Sequence, residues 1–395
     1  LEIVKFLHEN IFKENTEGCT TKAMDMAAGN GHLEIVKWLY NNRIEGCTTK
    51  AMDQAARFGH LEIVKFLHEN RTEGCTAYAM DWAAMNGRLE IVKWLHFNIF
   101  KENTEGCTTK AMNYAACYDH LDVLKFLHEN RTEGCTTYAM EGAVCYGHLE
   151  IVKFLHENIF KKNIRGCTTN AMDYAACYGH LEIVKFLHEN RTEGCTTYAM
   201  DLAAMNGYLE IVKFLHENRT EGCTTDAMDM AARNGHLEVV KWLHYNIFKE
   251  NTEGFTTRAM DWAAENGHLE VVKWLHFNIF KENTEGCTRN AMDGTAGFVH
   301  LEVVKWLHYN RTEGCTTNAI DWAAMNGHLE IVKWLHYNRT EGCTTDAMDG
   351  AAENGHLEIV KFLHENRTEG CTAKSMDRAA NYGHLEIVKF LSNNM

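Results

Sequence analysis

Histidine and cysteine are the side chains of this chain that could bind a metal ion or act as base and nucleophile. The sequence contains 23 histidines and 15 cysteines. The histidines occupy two positions of a repeated phrase, as His32 and His68 do, and twelve cysteines occupy a third, as Cys47 does. A metal site needs several ligands within about 2 Å of one ion, whereas equivalent residues on stacked helices lie about 10 Å apart. We therefore predict no metal site and no cofactor.

The cysteines are predicted to be free thiols. A disulfide needs Cα atoms within about 7 Å, which is closer than equivalent residues of neighbouring helices approach. The remaining three cysteines, Cys117, Cys145 and Cys177, again share one repeat position. So many free thiols indicate a reducing compartment. We expect a cytoplasmic location, with the nucleus left open, and we interpret the seven Asn-Arg-Thr triplets as by-products of the repeat rather than glycosylation sites.

An aspartate also recurs once per repeat, as Asp25, Asp53 and Asp81. Repetition along a stack keeps these carboxylates apart instead of pairing them for acid–base catalysis, so we interpret the row as a solvent-exposed face. The chain has no Gly-rich phosphate loop and no single nucleophile–base set. An enzyme needs one distinctive site, and this sequence offers thirteen similar ones, so we predict no enzymatic activity.

The spacing of these residues comes from one repeated phrase, Leu-Glu-Ile/Val-Val-Lys, which begins at Leu1 and last begins at Leu385. The number of the opening leucine increases either by 32, as from Leu1 to Leu33, or by 28, as from Leu33 to Leu61, with five long and eight short intervals. A fixed period of this kind is typical of a stack of similar units that bury their apolar surface against their neighbours. We predict one continuous domain over residues 1–395. Because the sequence starts inside a repeat without a methionine, we expect a preceding part to be missing.

Each repeat is predicted to contain two helices, which makes the fold all-α. The first helix follows a Cys-Thr-Thr turn, where threonine can cap the free amides, and it ends at glycine. The second helix begins near Leu33 and carries apolar residues at Leu33, Val36 and Leu39, the spacing of one buried stripe. The complete absence of proline fits turns made by Gly, Asn and Thr.

The charge balance argues against nucleic acid as a partner. The net charge is −15, and the repeated lysine has an acid three residues earlier, as in Glu2 and Lys5, so the two charges neutralise each other on a helix surface. No apolar run approaches the roughly 18 residues that a membrane-spanning helix needs. We therefore expect a monomer that binds neither nucleic acid nor membrane.

The motif Ala27-Ala28-Gly29-Asn30-Gly31-His32, continuing as Leu33-Glu34-Ile35-Val36-Lys37, resembles the ankyrin repeat. The resemblance recurs along the whole chain. It departs from the family where Thr-Pro-Leu-His becomes Lys22-Ala23-Met24-Asp25, and the units are shorter than the family's length of about 33 residues. The residues are lost from the loop that forms the family's β-hairpin finger, so we expect reduced or absent fingers. The resemblance implies a non-enzymatic scaffold that binds proteins through its first-helix groove.

Differences between the repeats fall mainly on one face of the first helix. The variable positions are those of Tyr78, Trp82, Met85 and Asn86, which share a face because they are spaced i, i+4, i+7 and i+8. Aromatic residues, methionine and arginine are enriched at protein interfaces, and we expect glycines in these rows to leave pockets. The alternatives are a passive spacer whose exposed stripe varies without recognising anything, and a metal-binding or enzymatic protein. The predicted partner-binding residues are Tyr78, Trp82, Met85, Tyr114, Tyr138, Tyr174, Tyr198, Met205, Trp262, Trp322 and Met325.

A second aromatic pattern lies on the second helices, where tryptophan is usually followed three residues later by tyrosine or phenylalanine, as in Trp242 and Tyr245. Such i,i+3 pairs can stack on a helix surface. Four consecutive copies, from Trp242 to Tyr337, could form a second docking surface. Duplication of one ancestral repeat explains the pattern equally well.

Overall fold

The computed structural model describes residues 1–10, 20–101, 106–160, 168–249, 256–280 and 286–394. Their contacts divide the chain into two units, Leu1–Thr196 and Thr197–Met395. Each unit is a helical repeat solenoid of the same two-helix motif, which confirms the predicted all-α fold. The prediction of a single continuous domain stays a prediction.

The first helices of the repeats are short and nearly uniform in length, at eight to ten residues. They carry even numbers here: α2 (Thr21–Gly29), α4 (Thr49–Phe58), α6 (Ala77–Met85), α8 (Thr109–Cys117), α10 (Thr137–Cys145), α12 (Thr169–Cys177), α14 (Thr197–Met205), α16 (Thr225–Arg233), α18 (Thr257–Glu265), α20 (Asn290–Gly297), α22 (Asn318–Met325), α24 (Thr345–Glu353) and α26 (Ala373–Asn381).

The second helices carry odd numbers, and α11 continues as a π-helical turn over Leu155–Phe160. They are α1 (Glu2–Asn10), α3 (Leu33–Asn42), α5 (Leu61–Asn70), α7 (Leu89–Asn98), α9 (Leu121–Asn130), α11 (Leu149–Phe154), α13 (Leu181–Asn190), α15 (Leu209–Asn218), α17 (Leu237–Asn246), α19 (Leu269–Asn278), α21 (Leu301–Asn310), α23 (Leu329–Asn338), α25 (Leu357–Asn366) and α27 (Leu385–Asn394).

Helix ends follow the predicted signals. Thr48 precedes α4 in an extended conformation, and its hydroxyl oxygen accepts a hydrogen bond from the Lys50 amide. This is the N-cap arrangement that satisfies an otherwise free amide at a helix start. At the other end of the same helix, Gly59 adopts a left-handed conformation with φ 94°, which a residue with a side chain adopts only with strain. Two repeats break this rule, because Asp119 (φ 63°) and Val299 (φ 73°) occupy the glycine position.

The core of each unit lies between the two helix layers. In one repeat, Met80 and Ala84 of the first helix and Val92 and Leu95 of the second are completely buried. Within a unit, each first helix packs against the next first helix and against the second helix of its own repeat. Burying a leucine or valine contributes about 1.5–3 kcal/mol, and this surface is covered only when the neighbouring repeat is present.

The connections between repeats contain no β-strand within the part of the chain that the structure describes, which agrees with the predicted loss of fingers. In the short connections, the arginine after the second helix pairs with a glutamate two residues later, as Arg71 does with Glu73. The amide nitrogen of the preceding Asn70 side chain donates to the Phe66 carbonyl oxygen at 2.8 Å. Most of the longer connections, including Cys19 and Cys167, lie outside the described residues.

The aspartate row is not a solvent-exposed face, so that interpretation was wrong. Asp53 is 4% exposed, and its carboxylate accepts two hydrogen bonds from Thr76 of the next repeat. The Thr76 amide donates at 2.9 Å and the hydroxyl at 2.8 Å. The same hydroxyl caps α6 by accepting from the Tyr78 amide at 3.2 Å. Each such aspartate therefore fixes the start of the next first helix, which we call the Asp–Thr clamp.

Candidate interaction surface

The residues predicted to bind a partner all lie on first helices, and none is buried. Four rows run along this face, and each is named here after its member in α6: the Tyr78, Trp82, Met85 and Asn86 rows. Exposure differs between the rows. In the Tyr78 row, Tyr78, Tyr138 and Tyr198 are exposed, whereas in the Trp82 row Trp82, Tyr114 and Trp262 are only half-buried. The exposed remainder of the predicted set is Tyr174, Trp322 and Met325, and the half-buried remainder is Met85 and Met205.

The tryptophans are covered by their neighbours. The Arg57 guanidinium lies 5.4 Å from the centre of the Trp82 ring, and the Tyr78 ring stacks on Trp82 at 5.1 Å with an interplanar angle of 17°. Two arginines lie over the Trp262 ring in the same way, Arg233 at 5.4 Å and Arg258 at 5.6 Å. The arginine–tryptophan contacts are cation–π interactions. They explain why Trp82 and Trp262 are less accessible than an unpartnered surface tryptophan.

Residues of the Met85 row contact residues of the Trp82 row in the next repeat, and the two side chains of a pair complement each other in size or charge. Opposite Gly142, the Sγ atom of Cys117 would lie 2.0 Å from an added Cβ; opposite Gly350, the Cβ of Met325 would lie 3.1 Å away. The expectation of pockets is therefore wrong beside Gly142 and Gly350, because the preceding repeat fills the space, whereas Gly29 does line an open pocket of about 390 Å³ together with Gln54 and Phe58. The same matching occurs for Gly29 with Gln54, Arg57 with Trp82, Arg233 with Trp262, Glu265 with Gly294, Gly297 with Trp322, and Glu353 with Arg378.

Variation in these two rows thus has a structural explanation that needs no partner. None of these matched pairs joins glycine to glycine, and none joins like charges. A side chain facing glycine keeps the interface at native packing density, and the Arg378–Glu353 ion pair and the Arg–Trp contacts satisfy charged groups at the interface. The side chains left over for a partner lie mainly in the Tyr78 and Asn86 rows, and Tyr174 of the Trp82 row is exposed as well.

The Asn86 row contains exposed residues that sequence reasoning did not select. Tyr118 is 46% exposed, Tyr146 62% and Tyr178 52%, and the Tyr118 and Tyr146 rings stack at 6.3 Å. They directly follow α8, α10 and α12, and Tyr138 and Tyr174 lie in α10 and α12. We call Tyr118, Tyr138, Tyr146, Tyr174 and Tyr178 the tyrosine face. The signal was the recurrence of one aromatic residue in three successive copies of a row that elsewhere contains mostly asparagine.

On the second helices, aromatic rings contact each other both within a repeat, as His244 and Tyr245 do at 5.0 Å, and between repeats. Tyr245 of α17 meets Trp274 of α19 at 6.0 Å, and His244 meets the same indole at 5.5 Å. Both contacts are edge-to-face, a favoured arrangement of aromatic rings. The tryptophans are therefore partly used in packing the second helices together, whereas Tyr309 and Tyr337 stay about 70% exposed. Whether this strip is a second docking surface stays open.

Burial changes the ionisation of several thiols and imidazoles and suppresses the reactivity of the buried thiols. Burial raises the pKa of the Cys75 thiol to about 12, so the nucleophilic thiolate is scarce near neutral pH. Burial likewise lowers the pKa of His96 and His244. The Nε2 atom of His148 lies 3.1 Å from the Cys117 carbonyl oxygen of the preceding repeat, a structural role in the stack. Among the described residues, no three His, Cys, Asp or Glu side chains converge as a metal site.

No helix in the described ranges has the length and apolar character needed to cross a bilayer. The cytoplasmic location and the monomeric state remain predictions.

Comparison with solved structures finds two of the pentatricopeptide repeat protein PPR10, each in complex with an 18-nt psaJ RNA element and one of them a cysteine-to-serine variant. Each is 11% identical to this chain and gives a TM-score of 0.42. The match covers 99% of this chain and 65% of the PPR10 chain. A likeness this low carries no conclusion about what this chain binds. No curated protein matches it.

Family models for ankyrin repeats match most of the sequence. The model described as "Ankyrin repeats (3 copies)" matches residues 80–166, 112–201, 140–229, 200–285 and 320–395. The model described as "Ankyrin repeats (many copies)" matches residues 41–96 and 296–336. Together with the helix pairs and the glycine-ended first helices, these matches leave one assignment. The chain belongs to the ankyrin repeat family.

Proposed function

We propose that this chain is a non-enzymatic scaffold that binds a protein partner on its first-helix face, with the tyrosine face as the main contact. Ankyrin repeats are protein-interaction modules, and the tyrosine face is the observation that carries the finer assignment. Its five rings are 37–62% exposed and lie on, or directly after, three successive first helices. Tyr174 belongs to the Trp82 row, but much of the Trp82 and Met85 rows is used in contacts between repeats.

Tyrosine suits this role for physical reasons. Its ring offers a large apolar area and its hydroxyl a hydrogen bond, and only two side-chain torsions must be fixed on binding. Tyrosine is accordingly enriched among the residues that dominate binding energy. Here the rings also stand on helices held by Asp–Thr clamps, so little backbone order has to be gained on binding.

The alternative function, a passive spacer without a specific partner, is favoured by one observation. The matched pairs of the Trp82 and Met85 rows account for their variation through packing alone. The spacer hypothesis does not account for the tyrosine face, because five exposed rings are not needed to join repeats.

The decisive experiment compares two matched variants. In one, Tyr118, Tyr138, Tyr146 and Tyr178 are changed to alanine; in the other, the exposed second-helix rings Tyr245, Phe277, Tyr309 and Tyr337 are. Proteins captured from a lysate of the source organism by the unmodified chain are identified, purified and titrated against all three forms. We expect the first variant to lose at least about tenfold in affinity, which corresponds to about 1.4 kcal/mol, and the second to bind normally. Equal affinity of all three forms for every captured protein would rule the tyrosine face out.

A further inference from the structure

The charge on the first-helix face of the unit Leu1–Thr196 is opposite in sign to that of the chain. Its six first helices, α2 to α12, supply 24 residues to the four rows. Four of these are cations and none is an acid, although the net charge of the whole chain is −15. In the unit Thr197–Met395, the same rows contain four cations and four acids. The cations of the first unit are Lys22, Lys50, Arg57 and Lys110.

Arg57 is fixed in place without a carboxylate partner. Its guanidinium carbon lies 5.1 Å from the Phe58 ring and 5.4 Å from the Trp82 ring, and its Nε atom is buried with no hydrogen-bond partner in the described part of the chain. Loop arginines differ, because Arg71 pairs with Glu73. Guanidinium N–H groups match a carboxylate in two-pronged geometry. An arginine held by stacking, with no acid of its own, is therefore prepared for an acid from outside.

The neighbouring lysines extend this site along the face. Lys110 lies over the Tyr78 ring at 5.9 Å, and Tyr78 stacks on Trp82, so two stacked rings lie between the Arg57 and Lys110 cations. Lys22, Lys50 and Lys110 are exposed. The tyrosine face continues from this cluster, because Lys110 lies in α8 and Tyr118 directly follows that helix.

We infer that the partner segment bound by this unit is an acidic stretch of protein in extended conformation. Its carboxylates would pair with Arg57, Lys50 and Lys110, and its apolar side chains would lie on the tyrosine face. This inference rests on the proposed function. Six helices about 10 Å apart span about 50 Å, which an extended chain covers with about 15 residues.

Single-stranded nucleic acid is the other polymer that basic and aromatic residues can bind, because it stacks its bases on open aromatic faces. Trp82 is covered by Tyr78 and Arg57, but the tyrosine face offers open rings, so the charge of the chain is what disfavours this partner. A net charge of −15 repels a polyanion at long range, and it repels a peptide with a few carboxylates less.

The test measures fluorescence anisotropy of labelled probes titrated with the full chain. The acidic probe is a peptide of Glu-Leu-Gly units about 15 residues long; its neutral counterpart has Gln for Glu, and a uridine oligonucleotide of equal length is the third probe. We expect the acidic peptide to bind about tenfold tighter than the neutral one, with affinity falling as salt is added. Arg57→Gln should weaken acidic-peptide binding about tenfold.

Two further variants keep the result interpretable. Because Arg57 packs between rings, a second variant, Lys50→Gln with Lys110→Gln, removes two exposed cations and leaves the Arg57 contacts in place, and we expect a similar loss of affinity. Lys65→Gln, on the second helix where Lys65 pairs with Glu62 at 2.8 Å, should bind normally. Circular dichroism checks that each variant is folded.

Several outcomes would overturn the inference. Equal binding of acidic and neutral peptides would do so, as would undiminished binding of the acidic peptide by both Arg57→Gln and the variant with Lys50→Gln and Lys110→Gln. Tighter binding of the oligonucleotide would assign the face to nucleic acid instead. If the acidic peptide fails while the tyrosine variant still loses a captured protein, the proposed function stands and the acidic nature of the partner is wrong.

Discussion

Removing one Asp–Thr clamp tests whether the buried aspartate row holds neighbouring repeats together. Asp53→Ala leaves the Thr76 amide and hydroxyl without the acceptor they have at 2.9 and 2.8 Å. Hydrogen bonds to a charged group contribute about 1.5–3 kcal/mol each. Part of this gain is offset by the burial of the carboxylate, which raises the pKa of Asp53. We expect a net loss of about 2–4 kcal/mol in the free energy of unfolding.

The chain supplies its own control for this change. At the equivalent position of another repeat, Asn113 accepts from the Thr136 amide at 3.0 Å and donates to the Thr136 hydroxyl oxygen at 2.9 Å. Asp53→Asn can therefore rebuild both hydrogen bonds without burying a charge. We expect it to change stability by less than about 1 kcal/mol.

The assay must report locally, because a long array need not unfold in one step. Urea unfolding followed by circular dichroism gives the global effect, and hydrogen exchange of the Thr76 and Tyr78 amides gives the local one. Asp53→Ala should speed exchange at both amides by at least tenfold, since about 1.4 kcal/mol corresponds to a factor of ten. Unchanged exchange in Asp53→Ala, or equal losses for alanine and asparagine, would refute the clamp as a stabilising contact.

Three further sets of substitutions test separate parts of the structure by urea unfolding. Val299 has a φ of 73°, a conformation that costs a residue with a side chain about 1–2 kcal/mol, so Val299→Gly should raise the free energy of unfolding by about 1 kcal/mol. Gly383 has a φ of 80° with open space around it, so Gly383→Ala should lower the free energy of unfolding by a similar amount. A loss of stability in Val299→Gly would contradict this reasoning. Gly350→Met should lower the free energy of unfolding by about 1–3 kcal/mol, because the new side chain crowds Met325. Adding Met325→Gly should recover most of this loss of stability. Additive effects of the two substitutions in the double-mutant cycle would refute the pairing. Burial lowers the pKa of His336 in the folded chain, so the unfolded chain binds a proton at this residue more readily and stability falls as the pH drops through about 6.5. His336→Phe should make stability depend less steeply on pH. An unchanged slope would refute the contribution of His336.

The sequence was sufficient for the architecture because the architecture depends on local and repeated signals. Threonine before each first helix and a buried apolar stripe on the second helix recur with each copy, and glycine follows the first helix in all repeats but two. A single repeat such as Thr48–Asn70 therefore already specifies both helices. The family's fingers could be predicted as reduced because the missing residues fall in one loop.

The role of the aspartates and the packing around the glycines depend on contacts between repeats, and the repeat period alone does not reveal these contacts. Asp53 was placed on an exposed face because its partner, Thr76, lies 23 residues further along and belongs to the next repeat. Gly142 was predicted to leave a pocket because the residue that fills it, Cys117, lies in the preceding repeat. In both cases the residue had been compared only with the equivalent residues of other repeats. The structure adds the residue of the adjacent repeat that it contacts.

The Asp–Thr clamp has a consequence for how this chain tolerates changes of length. The carboxylate and threonine are 23 residues apart in Asp53 and Thr76 but 27 apart in Asp81 and Thr108. The amide donates at 2.9 Å in the first pair and 2.8 Å in the second, and the hydroxyl at 2.8 Å and 2.7 Å. The additional residues are thus absorbed by the loop and leave the clamp unaltered. A gene segment encoding one repeat of either length can be duplicated or deleted by unequal recombination, and the protein made from it will keep its carboxylates and threonines in register.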